Sequence, residues 1–123
     1  MAGNSVLVVD DSNTDREMAV QALTASGYRV SSVGDAEECL KSVQAKHPDV
    51  IVLDIILPKQ NGYQVCRQLK QDPATKDIKI ILLSSKSQVS DKFWGMKQGA
   101  DLYLTKPFED DELVKGVRSL VGA

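Results

Sequence analysis

Asp54 interrupts the most apolar stretch of the chain, Val50-Ile51-Val52-Leu53-Asp54-Ile55-Ile56-Leu57, which runs on into Pro58-Lys59-Gln60-Asn61-Gly62. A carboxylate in such surroundings is costly unless it is paired or used. Other reactive types stand at the ends of similar runs: Asp10-Asp11 after Ser5–Val9, Ser84-Ser85 after Ile78–Leu83, and Lys106 after Leu102–Thr105. Gathered together they make three carboxylates, a hydroxyl and an ammonium. Three neighbouring carboxylates repel and raise one another's pKa unless a cation joins them. An all-oxygen set without His or Cys suits a hard cation, and few protein ligands with room for water favour Mg2+ over Ca2+ or Zn2+. Lys106 offers a second positive charge to a phosphoryl oxygen, and Ser84 a donor to another. A carboxylate is also a nucleophile toward phosphoryl groups, whose loose transition state asks chiefly for charge neutralisation. The chemistry expected is Mg2+-assisted phosphorylation of Asp54, then hydrolysis of the acyl phosphate. Singly, each residue has a plainer reading: a helix cap for Asp10-Asp11, a turn residue for Ser84, a surface lysine for Lys106. Only a shared location makes the joint reading strong.

That location depends on the elements that carry them. After Ser5–Val9 and Asp10-Asp11, Ser12-Asn13-Thr14-Asp15 supplies N-cap chemistry, and Met18, Ala19, Ala22 and Leu23 recur at helical spacing up to Ser26-Gly27. Tyr28 to Val33 predicts a second strand. Gly34-Asp35 opens a second helix with Ala36, Leu40 and Val43 on its buried side, broken by Lys46-His47-Pro48-Asp49. The run from Val50 predicts a strand buried on both faces, as in a parallel sheet. Val65, Cys66 and Leu69 line a third helix that ends near Asp72-Pro73. Ile78 to Leu83 predicts the fourth strand, Ser90 to Gln98 a fourth helix, and Leu102 to Thr105 the fifth strand. Glu109-Asp110-Asp111 puts negative charge at the N-terminus of a last helix, where the dipole favours it. That helix carries Leu113, Val114, Val117, Leu120 and Val121 on its apolar stripe. Strict alternation with right-handed crossovers requires an α/β three-layer sandwich: a parallel sheet of five strands with helices on both faces. The C-terminal strand ends, and all the residues above, then face one side.

Composition agrees with one globular domain spanning residues 1–123: 42% of the 123 residues are hydrophobic and 26% charged. A net charge of −2 gives no electrostatic reason to expect nucleic acid as a partner. No apolar run reaches transmembrane length and the acidic start is not a signal peptide, so a cytoplasmic protein with no membrane partner is expected. Cys39 and Cys66 lack metal spacing and read as free thiols of a reducing compartment. His47, beside Pro48, reads as a solvent-facing loop residue.

In combination the motifs VLVVDDS, VLDIILPKQNG, ILLSS and YLTKPF make the chain, from Ser5 to Val121, resemble a response-regulator receiver domain, the phosphoacceptor module of two-component signalling. The separations agree: thirty residues from Asp54 to Ser84 and twenty-two from Ser84 to Lys106. The resemblance implies the flavodoxin-like strand order 2-1-3-4-5. It implies that Asp54 accepts a phosphoryl group from a sensor histidine kinase, with self-phosphorylation and self-dephosphorylation chemistry in a switch rather than an enzyme. It implies Mg2+, with Mn2+ as a substitute, held by Asp11, Asp54 and the main-chain carbonyl of Ile56, and by Asp10 largely through water. Lys106 would contact the phosphoryl group, and the Lys106–Pro107 peptide is expected to be cis. Ser84 would move toward the phosphoryl group and Tyr103 turn inward, remodelling the surface of the fourth helix, fifth strand and last helix for a downstream target protein. Ile56 and Lys86 depart from or vary within the family pattern and flank the path of attacking water, so they bear on phosphoryl lifetime. With no output domain after the last helix, a stand-alone receiver is expected, as a monomer or weak homodimer. The segment DKFWGMKQGADLYLTKPF is further similar to small bacterial receivers of twitching-motility and phototaxis chemosensory systems.

Val89, Phe93, Met96 and Ala100 follow helical spacing, and Trp94 lies off that stripe, so an at least partly exposed Trp94 is expected to mark the partner surface. Three other functions compete. A Mg2+-dependent phosphohydrolase with an Asp nucleophile would want a second Asp where Ile56 stands. A flavin-binding domain would need a first loop less acidic than Asp10-Asp11-Ser12-Asn13-Thr14-Asp15. A phosphorylation-independent adaptor would keep the same site residues and not use them.

Overall fold

Short apolar runs separated by capped helical segments fold into ten alternating elements: β1 (Ser5–Val9), α1 (Asn13–Ala25), β2 (Arg29–Val33), α2 (Ala36–Ala45), β3 (Val50–Asp54), α3 (Gly62–Gln71), β4 (Lys79–Ser84), α4 (Val89–Lys97), β5 (Leu102–Thr105) and α5 (Asp110–Val121). The structure, a computed structural model, describes residues 4–85 and 89–121; Lys86 lies outside the described residues. The five strands are all parallel, in the order β2-β1-β3-β4-β5. This is the flavodoxin-like order expected above.

β3 runs through the centre, paired with β1 on one side and β4 on the other, and all five of its residues are buried. Its side chains alternate between two cores. Ile51 and Leu53 pack with Cys39 and Val43 of α2 and Val65 and Leu69 of α3. Val50 and Val52 pack with Ala19 and Leu23 of α1 and Leu113 and Val117 of α5. Each such aliphatic side chain contributes about 1.5–3 kcal/mol on burial, which is what sets the register of the carboxylate at the strand's end. Side-chain caps start the helices where their sequences direct. Ser12 Oγ accepts the Asp15 N–H, Asp35 accepts that of Glu38, and Asn61 forms a reciprocal box with Gln64. Cys39 and Cys66 are buried free thiols, with burial raising them to about 12 and about 11, so neither is a reactive thiolate. His47 is exposed. Among the described residues no helix is long and apolar enough to cross a membrane.

On two helices, spacing does not say which face packs. Met18, which recurs at helical spacing with Ala19 and Leu23 in α1, is exposed, and the face that packs is Ala19 and Leu23. The stripe of Val89, Phe93 and Met96 on α4 is also exposed, and only Ala100 of that set is buried. The cause lies in Gly95, the one buried residue of α4. A Cβ there would stand 2.7 Å from Tyr103 Cδ2 and 3.2 Å from Leu82 Cδ1. The helix therefore turns its side-chain-free surface to the sheet and its large residues outward. Trp94 is 59% exposed.

Candidate functional site

The carboxyl ends of β1, β3 and β5 bring their polar residues together. Asp10 continues β1 by one residue, its N–H donating to Val33 O at 3.2 Å, and is only 1% exposed. Its Oδ1 accepts the Ser12 N–H at 3.0 Å, and its main-chain carbonyl accepts from Arg16 Nη1 at 2.7 Å. Asp54 is the last residue of β3, and its Oδ1 accepts the Ile56 N–H at 3.2 Å. Behind it the chain folds back tightly, Gly62 N–H donating to Ile55 O at 2.7 Å. Only glycine fits there, because a Cβ on Gly62 would collide with the Asp54 carbonyl oxygen and lie 2.8 Å from Ile55 Cα.

Lys106 closes the cluster. Its N–H donates to Ser84 O at 2.7 Å, and the Lys106–Pro107 peptide that follows is cis. Its ammonium donates to Asp10 Oδ2 at 2.8 Å, Asp15 Oδ2 at 3.0 Å and Asp54 Oδ2 at 3.1 Å. Burial, reinforced by the charge on Asp10, pushes the Asp54 carboxyl above its ordinary value against the opposing pull of Lys106. For Lys106 burial acts downward, but the hydrogen bonds from its ammonium to Asp10 and Asp15 outweigh it and hold the group above its ordinary range.

Asp11, exposed, completes the acidic group: one carboxylate oxygen each from Asp10, Asp11 and Asp54 lie within 4.8 Å of one another. Three carboxylates at this spacing, with only oxygen donors, fit a hard divalent cation of the Mg2+ type. Ile56, whose carbonyl the family resemblance offers as a further ligand, follows directly, with its side chain in solvent.

Other sequence candidates lie around this centre. Ser84 is buried at the end of β4, opposite Thr105 of β5. Tyr103 is buried two residues back along β5, against Gly95 of α4. The Tyr63 hydroxyl meets the Asp91 carbonyl of α4 at 3.2 Å, and burial raises it to about 12. Trp94 belongs to the outer face of α4, not to the acidic cluster.

Sequence reasoning missed Asp15 as a partner of Lys106, having taken it only as cap chemistry. The available signal was its place one helical turn beyond the acidic pair. It also missed Arg16 and the Tyr63 link, which no local pattern announces. Beside the cluster opens a cavity of about 310 Å3, lined by Met18, Leu83, Pro107 and Phe108 together with Asp10, Asp15 and Lys106.

A doubly wound parallel sheet with paired acids, a central aspartate and a lysine at its carboxyl edge is the architecture of a signalling receiver. The chain belongs to the response regulator receiver domain family, whose profile matches residues 6–118. It is 39% identical over 121 residues to the ycf27 protein of Porphyridium aerugineum, covering 98% of this chain and 49% of that protein. The chain thus spans about half the length of the first curated relatives it matches. It is 35% identical over 116 residues to Protein PilH of Pseudomonas aeruginosa, covering 94% of this chain and 96% of PilH. The solved chemotaxis response regulator CheY4 of Vibrio cholerae superposes with a TM-score of 0.90 at 31% identity, covering 98% of each chain. Members of this family are signalling switches rather than classical enzymes. They are phosphorylated on an aspartate by histidine kinases and generally bind Mg2+ at an acidic site.

Proposed function

We propose that Asp54 is the phosphoacceptor of a two-component response regulator and that Asp10, Asp11, Asp54 and the Ile56 carbonyl hold Mg2+, or Mn2+ in its place. The observation that carries this reading is the Lys106 ammonium bonded to Asp54 Oδ2 and Asp10 Oδ2 at the rim of the acid group. An Asp54 oxygen attacks the phosphorus of a sensor kinase's phosphohistidine. The new O–P bond forms as the N–P bond breaks, and the imidazole nitrogen keeps the electron pair and takes a proton. A cation held there would supply neutralisation of charge on the transferring oxygens. Lys106 turns from Asp54 Oδ2 to a phosphoryl oxygen, and Ser84 donates to another. Water later attacks phosphorus, releasing inorganic phosphate and restoring the carboxylate; exposed Ile56 borders its approach.

Contact with the phosphoryl group draws Ser84 in and favours the buried position of Tyr103, so the surface of α4, β5 and α5 changes and a downstream protein reads it through Trp94. The kinase and target belong to a bacterial cytoplasmic taxis pathway, of the twitching-motility or phototaxis kind. Supporting a taxis role is the superposition on a chemotaxis response regulator that matches over 98% of each chain.

The test is incubation with Mg2+ and acetyl phosphate, followed by intact-protein mass spectrometry. A phosphoryl increment on the unmodified protein, lost in Asp54→Asn, is expected. Its absence from the unmodified protein, or its persistence in Asp54→Asn, overturns the reading and leaves a phosphorylation-independent adaptor. Lys106→Ala is expected to take up phosphate and fail to signal.

A further inference from the structure

Lys106 Nζ has three N–H donors and meets three carboxylates, Asp10 at 2.8 Å, Asp15 at 3.0 Å and Asp54 at 3.1 Å. Two of these acids belong to the close group with Asp11, and Asp15 does not. Asp15 is also set apart by its surroundings. Its side chain is 46% exposed, whereas those of Asp10 and Asp54 are almost wholly buried. An ion pair that exposed contributes little to stability, so stability does not account for its place.

Its place is nonetheless built. The Asp15 N–H donates to Ser12 Oγ at 3.2 Å, and the Ser12 N–H donates to Asp10 Oδ1 at 3.0 Å. One cap residue thus ties the Asp10 carboxylate to the main chain that carries Asp15. A divalent cation entering among Asp10, Asp11 and Asp54 meets an ammonium already bonded to two of those three groups. Asp10 and Asp54 must then loosen their hold on Lys106, whose side chain is only 18% exposed and cannot simply retire into water.

We propose that Asp15 is a positioning residue, the holding site that retains the Lys106 ammonium when Asp10 and Asp54 turn to a divalent cation. This rests on the reading of Asp10, Asp11 and Asp54 as the cation site. By keeping Lys106 beside the cluster without using a metal ligand, Asp15 lowers the barrier of charge to the cation and leaves the ammonium in reach of the phosphoryl group. It acts through Lys106 and touches neither the reacting atoms nor the cation.

The experiment is calorimetric titration of Mg2+ into the intact protein and into Asp15→Asn, Asp15→Glu, Lys106→Met and the Asp15→Asn/Lys106→Met double variant. Asp15→Asn is expected to weaken Mg2+ binding about fivefold, the scale of one partly exposed charge pair. Asp15→Glu should recover most of that loss. In the Lys106→Met background, Asp15→Asn should change the affinity by less than about twofold, since the interaction it serves is already gone. Equal affinities for the unmodified protein and Asp15→Asn overturn the proposal. So does an equal loss in both backgrounds, which would mean only a through-space charge. Mg2+ binding by the unmodified protein leaves the site reading standing in either case, whereas its absence overturns both.

Discussion

At the carboxyl edge of the sheet, Asp10 and Asp54 are held from several directions at once, by main-chain N–H groups, by the ladder of β1 with β2, and by one shared ammonium. On α4 the arrangement is the reverse: Val89, Phe93, Trp94 and Met96 stand in solvent, and Gly95 alone is buried against the sheet. The first region spends its contacts on fixing a few charged atoms, because charges that close are stabilised only in an accurate geometry. The second keeps few contacts, so its displacement costs little, which is what an element that must report a distant change requires. The Tyr63 hydroxyl spans the two, joining the helix behind the Asp54 loop to the Asp91 carbonyl of α4.

The largest test of this contrast is Gly62→Ala. Its Cβ would strike the Asp54 carbonyl and the Ile55 backbone, neither of which can yield. A loss on the order of 3 kcal/mol in urea unfolding is expected, as for a severe overpacking. A neutral outcome would mean that the edge is not held as tightly as described. Gly95→Ala meets side chains, the Tyr103 ring and Leu82, instead of backbone. Its expected cost is smaller, about 1–2 kcal/mol, with faster amide exchange in α4 and unchanged exchange in β3.

The charged edge also carries a pH signature. Burial, then the neighbouring Asp10, raises the Asp54 carboxyl above its ordinary 3.8 despite Lys106, so the folded protein binds this proton more tightly than the unfolded chain does. Stability contributed by the protonated form is therefore lost as pH rises from about 3.8 through the folded pKa, and the penalty is complete above it. Asn cannot ionise. Asp54→Asn is expected to raise the metal-free melting temperature by a few degrees near pH 7 and to leave it unchanged near about pH 3. The same change at both pH values would detach the effect from Asp54 ionisation.

The smallest stability effect belongs to Trp94→Ala. An aromatic that is 59% exposed should shift unfolding by no more than about 0.5 kcal/mol while weakening capture of the downstream protein. A loss of several times that size would show that α4 depends on its outer face, and the contrast would fail.

Much of the edge is legible in the sequence alone. The apolar runs before Asp10, Asp54 and Lys106 are long enough and β-branched enough to be strands. Their alternation with capped helices permits only a parallel sheet, and a parallel sheet puts all those strand ends on one side. Asp15 was not legible as a site residue, because an acid in the first turn of a helix is ordinary N-terminal chemistry until Lys106, ninety-one residues later, is brought to 3.0 Å. Which face of α4 packs was not legible for a related reason. Helical spacing of Val89, Phe93 and Met96 records that a face exists, but which face packs is decided by the neighbour, here the Tyr103 ring filling the space that Gly95 leaves.

By itself the sequence determined the order of the elements, the doubly wound sheet and the identity of the acids, hydroxyl and lysine at its edge, since these follow from local pattern and chain connectivity. Only the tertiary structure decided that one ammonium serves three carboxylates and that α4 meets the sheet through a glycine. Both depend on distances between residues far apart in the chain, which local pattern does not encode.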